Sequence, residues 1–174
     1  ECPAVAVTNA FNTVLYTGNG GTQPISTVGF KPDLVWIKAR VTPYSHRLFD
    51  SVRSLNGRIE SNTTAAEVSN TVNDNFVSFD SNGFTLGATS STNGSNFNGE
   101  TFVSWNWKAG GTAVSNTDGT ITSQVSANVD AGFSIVKYTG SSPNQTVGHS
   151  LDATPEFIVV KNMDTTGNGW ATQS

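Results

Sequence analysis

Apolar and polar residues alternate over short stretches of this chain, and small turn-forming residues cluster between the stretches. Period-two alternation bounded by Gly, Asn, Asp and Ser marks strands whose two faces meet different environments. It predicts strands near 11–17, 33–40, 76–79, 84–87, 101–107, 133–138 and 156–161, with weaker ones near 24–28 and 119–125. The clearest hairpin runs from Phe76-Val-Ser-Phe79 through Asp80-Ser-Asn-Gly83 to Phe84-Thr-Leu86, because Asn-Gly at a loop tip accepts the positive φ of a tight turn. A single helical turn is expected over Ser45 to Ser54, where Leu48, Val52 and Leu55 fall on one face. Ser90 to Gly99, small and polar apart from Phe97, reads as an exposed loop. So many short strands imply an all-β fold of two stacked antiparallel sheets, a β-sandwich. Its expected core contains Phe11, Tyr16, Trp36, Phe79, Phe84, Trp105 and Phe133.

The pattern also echoes itself. Phe11-Asn-Thr-Val-Leu-Tyr-Thr-Gly18 returns as Phe133-Ser-Ile-Val-Lys-Tyr-Thr-Gly140, at an offset of 122 residues (133 − 11). Lys31-Pro-Asp-Leu-Val-Trp-Ile-Lys38 returns as Thr154-Pro-Glu-Phe-Ile-Val-Val-Lys161, at an offset of 123 (155 − 32). A repeat of this length is domain-sized rather than a short solenoid unit. The expected organisation is an N-terminal extension over 1–10, a first sandwich repeat over 11–128 and a partial second repeat over 129–174. The second copy ends soon after Trp170, so its strands are expected to extend the first sandwich, to pair with another chain, or to belong to a longer protein. The start at Glu1 rather than Met likewise implies a processed chain or a fragment.

Composition narrows the class. Charged residues are 13% of the 174 and hydrophobic ones 36%, while ten Phe and four Trp supply core material. Ser, Thr, Asn and Gly replace the missing charge, which suits short strands joined by tight turns. A net charge of −4 without a basic cluster argues against nucleic acid. No apolar run approaches a bilayer span, and the start lacks the charged-then-apolar pattern of a signal peptide. The single Cys2 cannot form an internal disulfide, which leaves packing to hold the fold and an interchain bond as an alternative use of the thiol.

Candidate chemistry is sparse. His46, Asp50 and Ser51 include the residue types of a nucleophilic triad, but no nucleophile elbow or oxyanion signature accompanies them. In Ser45-His-Arg-Leu-Phe-Asp-Ser-Val-Arg53 the arginines Arg47 and Arg53 can fork onto Asp50 and onto free carbonyls, locking a connection over the sheet edge. The alternative is a ligand site formed by His46, Arg47 and Asp50. Asp74, Asp80, Asp118 and Asp130 sit in turns, where Asx-turn bonding accounts for them, so no paired carboxylates face a cleft. No cofactor is expected; calcium at one such loop is the one ion left open, and zinc lacks clustered Cys and His. In Thr101-Phe-Val-Ser-Trp-Asn-Trp107 alternation puts Val103, Trp105 and Trp107 on one face, with Phe102, Ser104 and Asn106 on the other. Val103 beside the tryptophans favours the core for that face, and a sugar-stacking platform of Trp105 and Trp107 is the alternative. Asn-x-Ser/Thr triplets at Asn62, Asn93 and Asn144 are unremarkable in a chain of this composition.

Taken together, Phe11 to Gly18, Val28 to Lys38, Tyr44 to Arg53 and Trp105-Asn-Trp-Lys-Ala-Gly-Gly-Thr112 resemble a repeated domain of marine bacteriophage structural and tail-fibre-like proteins. Ser115 to Asn128, leading into Gly132 to Gly140, is similar to the connection between its copies. The resemblance implies a jelly-roll or lectin-like sandwich in a virion, outside the cell, and transfers no catalytic or binding residue. The expected function is a non-enzymatic fibre or capsid-surface component for decoration or adhesion. Its expected partners are other virion proteins, copies of itself in a homo-oligomer, or a host-surface glycan. The second reading is a carbohydrate-binding module of an extracellular bacterial protein, and the third an enzyme such as a glycan depolymerase.

Overall fold

The computed structural model describes residues 9–55, 57–69, 76–89 and 94–174, and these residues are built of strands and turns with no helix. The expected roles of Cys2, Asp74 and Asn93 fall outside the described residues, as does part of the Ser90–Gly99 loop.

The first sheet has the order β1-β9-β3-β4, all antiparallel: β1 (Phe11–Thr17), β3 (Leu34–Ala39), β4 (Arg47–Asp50) and β9 (Thr101–Trp107). A second sheet has the order β2-β8-β7: β2 (Gln23–Ile25), β7 (Phe76–Asp80) and β8 (Gly83–Leu86). One core lies between them. From the first sheet it takes Val14, Val35, Ile37, Ala39, Phe49 and Phe102, and from the second Ile25, Phe76, Phe84 and Leu86. Phe49 stacks on Phe76 with ring centroids 4.7 Å apart, and Tyr16 meets the edge of Phe84 at 6.4 Å, so rings of the two layers touch directly.

The β7–β8 hairpin forms where Asn82-Gly83 predicts it. A bulge between Phe76 and Ser78 breaks the two-residue period and brings Phe76 and Phe79 together at 4.6 Å. Gly83 is required by crowding as well as by the turn, since a Cβ there would collide with the Ile25 carbonyl. Over Ser45 to Ser54 the expected helical turn is absent. Residues 47–50 are strand β4, because Leu48 and Phe49 find ladder partners in Trp36 and Val35, and bends follow at 51–53. Ladder bonding to β3 overrides the weak three-and-four spacing.

The rest of the chain forms small sheets beside these two layers. Two-residue strands β5 (Gly57–Arg58) and β6 (Val68–Ser69) pair with each other, and Ile59 bridges to Leu48. Strands β10 (Val114–Asn116), β11 (Ser123–Asn128) and β12 (Phe133–Tyr138) form an antiparallel meander. The expected boundary between residues 128 and 129 falls at the turn between β11 and β12. Strands β13 (Ile158–Lys161) and β14 (Trp170–Gln173) form a separate hairpin. It leans on the connection after β5, where the Trp170 Nε1 donates to the Glu60 carbonyl at 2.9 Å and the Glu67 amide to the Met163 carbonyl at 2.7 Å.

The expected core needs correction. Phe84 is fully buried, and Tyr16 and Phe79 pack partly buried against the core. Phe11, however, is 50% exposed, and Trp36, Trp105 and Phe133 are only half-buried. In β9 it is Phe102, Ser104 and Asn106 that point inward, so the Val103–Trp105–Trp107 face lies outside, opposite to expectation. Asn106 remains tolerable inside because its Nδ2 donates to the Asn12 carbonyl at 3.0 Å and to the Ser104 Oγ at 3.1 Å. Phe84→Ala should therefore lose about 3–5 kcal/mol. Trp105→Ala should lose clearly less, as chemical denaturation of the two variants would show.

Candidate functional site

The outer face of the first sheet collects aromatic side chains that the core does not use. Register places them in cross-strand rows. One row is Phe11–Trp107–Leu34, the next is Thr13–Trp105–Trp36, and the third is Leu15–Val103–Lys38. Such pairs sit within reach of each other across neighbouring strands. Trp36 and Trp105 meet edge to face at 5.9 Å, Phe11 lies 4.9 Å from Trp107, and Phe133 of β12 stacks over Trp107 at 6.2 Å. Leu15, at 60% exposed, carries the apolar surface to the edge strand. Trp105 and Trp107, for which the sequence favoured the core and offered a platform as the alternative, thus lie together on the outer face, half-buried.

His46 extends the second row. Its Nδ1 accepts the Trp36 indole N–H at 2.8 Å, an arrangement that suits the Nε2–H tautomer. Burial and then the nearby Lys38 ammonium push this histidine below its ordinary value of 6.5. Its backbone amide donates to the Asn62 Oδ1 at 2.9 Å. Beyond Asn62 the surface opens into a shallow groove of about 560 Å³, lined by Ser61, Asn62, Thr63, Thr64, Gly169 and Trp170. Aromatic faces followed by hydroxyl and amide groups are the chemistry that stacks on and hydrogen-bonds to sugars.

The remaining sequence candidates are held elsewhere. Arg47 is buried on the inner face, across the ladder from Ile37 and beside Tyr44 and Ser95. Asp50 is buried too: it caps the following bend by accepting the Val52 and Arg53 amides, and its Oδ2 takes the Arg53 Nε at 2.5 Å. Arg53 then reaches Glu67 at 2.7 Å and the Leu48 carbonyl at 3.0 Å. Of the expected fork, Arg53 supplies the arm on Asp50. His46 and Asp50 serve different partners, so His46, Asp50 and Ser51 are not linked as a triad. Asp80 is engaged by the Ser78 and Thr85 hydroxyls, each at 2.6 Å, and Asp118 by Asn116. Among the described residues no three His, Cys, Asp or Glu side chains gather at one point.

Sequence reasoning missed Trp36, Asn62 and Trp170 as surface groups. The usable signal was the parity of β9: once Phe102 is inside, Trp105 and its ladder partner Trp36 must be outside.

Two titrations follow. His46 is lowered in the folded state, so between its folded value and 6.5 the unfolded chain binds the extra proton and stability falls with falling pH. Glu100 is also lowered, chiefly by the Thr42 hydroxyl donating to it, and its contribution is lost below the ordinary carboxylate value of 4.5. The melting temperature should drop from pH 7 to pH 5, and His46→Gln, whose amide oxygen accepts without titrating, should flatten that drop. Asp50→Ala, which strips a buried partner from Arg53, should cost about 3 kcal/mol in denaturant unfolding.

A family model described as "Domain of unknown function (DUF7483)" matches residues 6–174, nearly the whole chain. Nothing matches among the curated proteins or the solved structures.

Proposed function

The chain belongs to the DUF7483 family, and we propose that it is a non-enzymatic surface module of a bacteriophage particle, a β-sandwich unit repeated in a fibre or on the capsid. The observation that carries this reading is the fate of the echoed blocks. The first Phe-to-Gly block forms β1 and the second forms β12; the first Pro-acid-apolar block leads into β3 and the second into β13. Arg47 at the start of β4 and Trp170 at the start of β14 are again 123 apart (170 − 47), so a β3–β4 hairpin is matched by a β13–β14 hairpin. Serial units of one plan suit an extended surface structure. The low charge, the lectin-like or jelly-roll expectation and the self-associating character of open sheet edges support the same assignment. Extracellular exposure, homo-oligomers and contacts with neighbouring virion proteins belong to this reading.

A second reading has its own observation. The Trp105–Trp107 face lies outside the core and leads through Trp36 and His46 to the polar groove at Asn62 and Trp170, as a carbohydrate-binding module requires. The two readings converge if the particle binds a host-surface glycan.

Mass spectrometry and immunogold labelling of purified particles test the first reading. The protein should be found at stoichiometric levels on the particle surface, and its absence from particles would refute the assignment. Glycan-array binding tests the second. Trp105→Ala and Trp170→Ala should each weaken binding at least tenfold while Arg40→Ala does not.

A further inference from the structure

Six Asn-Gly pairs occur along the chain: Asn19-Gly20, Asn56-Gly57, Asn82-Gly83, Asn93-Gly94, Asn98-Gly99 and Asn168-Gly169. In such a pair the glycine nitrogen, with no side chain beside it, can attack the carboxamide carbon of the asparagine. Ring closure has three requirements. The asparagine side chain must turn freely, the glycine amide must not already be donating a hydrogen bond, and there must be space around the ring. Asn56 and Asn93 lie outside the described residues, which leaves four pairs to compare.

Three of the four are locked. The Asn19 Oδ1 accepts the Gly21 amide at 2.8 Å, and the Gly20 amide donates to the Asn96 carbonyl at 2.9 Å. The Asn82 Oδ1 accepts the Gly29 amide at 2.9 Å and its Nδ2 donates to the Ser26 carbonyl, while Gly83 is paired with Asp80 in the β7–β8 ladder. Asn98 is exposed, but the Gly99 amide donates to the Gly18 carbonyl at 2.9 Å. Asn168-Gly169 meets all three requirements. The pair lies in the turn between β13 and β14, a turn closed by its own strands through the pairing of Lys161 with Trp170. Both residues are exposed, and among the described residues neither the Asn168 carboxamide nor the Gly169 amide has a hydrogen-bond partner. Only the Asn168 carbonyl is held, by the Lys161 Nζ at 3.1 Å. A Cβ built at Gly169 would meet no atom within 4 Å, so the ring has room.

We propose that Asn168-Gly169 is a self-modifying site. The Gly169 nitrogen loses its proton to solvent base and bonds to the Asn168 Cγ, the Cγ–Nδ2 bond breaks, and ammonia leaves. Water then opens the resulting succinimide at either carbonyl, giving aspartate or isoaspartate. One water enters and one ammonia departs, with no oxidation or reduction. Either product places a carboxylate next to Gly169, at the wall of the groove that Gly169 shares with Trp170 and Asn62. Isoaspartate also lengthens the main chain by one carbon shortly before Trp170. The six residues lining that groove carry no charge, so its wall becomes anionic as the protein ages. The inference does not depend on what the groove binds.

The test ages the full chain in mildly alkaline buffer and follows each pair by peptide mapping and mass spectrometry, with isoaspartate identified from its fragmentation. The expected result is conversion at Asn168 at least tenfold faster than at Asn19, Asn82 and Asn98. In denaturant the four rates should come within a few-fold of one another, because the locking hydrogen bonds are then gone. Gly169→Ala, whose methyl group the open space accommodates, should slow conversion at Asn168 at least tenfold. An Asn168 that persists unchanged in the folded chain, or four equal rates there, would overturn the proposal. So would the same ranking in denaturant, since the order would then come from neighbouring residues and not from the fold. None of these readouts involves particles or glycans, so this experiment and those on function can fail independently.

Discussion

Strand β9 is the constraint on which the two-layer unit depends. It is hydrogen-bonded on both edges, and its parity decides which side chains enter the core and which reach the surface. A one-residue slip would exchange Phe102, Ser104 and Asn106 for Val103, Trp105 and Trp107 between the layers, moving two tryptophans into space filled by small residues. The register is held at its exit. The Asp33 Oδ2 accepts the Ala109 and Gly111 amides at 2.8 and 3.3 Å, and the Asp33 amide donates to the Trp107 carbonyl at 2.8 Å. One buried carboxylate thereby ties the start of β3 to the end of β9.

Polar groups inside the unit work as connectors between loops that carry few apolar residues. Asn96 is buried, and its Nδ2 donates to the Gly21 carbonyl at 2.6 Å and the Gly87 carbonyl at 3.2 Å, while its Oδ1 accepts the Asn19 amide at 3.0 Å. The β1–β2 and β8–β9 connections meet on one side chain. A chain with so little charge can still specify one arrangement of its turns, because the Asn96 amide that makes these bonds is itself buried.

Much of the fold was legible in the sequence because the strands obey period two and the turns use Asn-Gly chemistry. Strand 101–107 is bounded as expected, and 133–138 likewise. The short strands β4, β5, β6, β10 and β14 were not legible, since two to four residues leave too little pattern and exist through their partners. The outer aromatic face was read inside out for a physical reason. Ser104 and Asn106 look like surface residues; their burial is made tolerable by the Asn106–Ser104 bond within β9 and by the bond to the Asn12 carbonyl, which needs the neighbouring strand β1 in place. Asp50 was recognised as an ion-pair residue, but the choice between Arg47 and Arg53 depends on a bend that the sequence pattern does not encode.

The chain enters the first sheet at Ala10 and leaves it at Lys108, and these two residues are hydrogen-bonded to each other, with the Lys108 amide 2.8 Å from the Ala10 carbonyl. A tension applied through these two points pulls apart the adjacent ends of β1 and β9. Antiparallel neighbours loaded from the same end open like a zipper, so each bond carries the force in turn rather than sharing it. Single backbone hydrogen bonds are worth about 1 kcal/mol net, which makes this unit compliant along its own polypeptide. A filament assembled from such units would draw its tensile strength from sideways packing between neighbours and would let individual links extend and reclose under load.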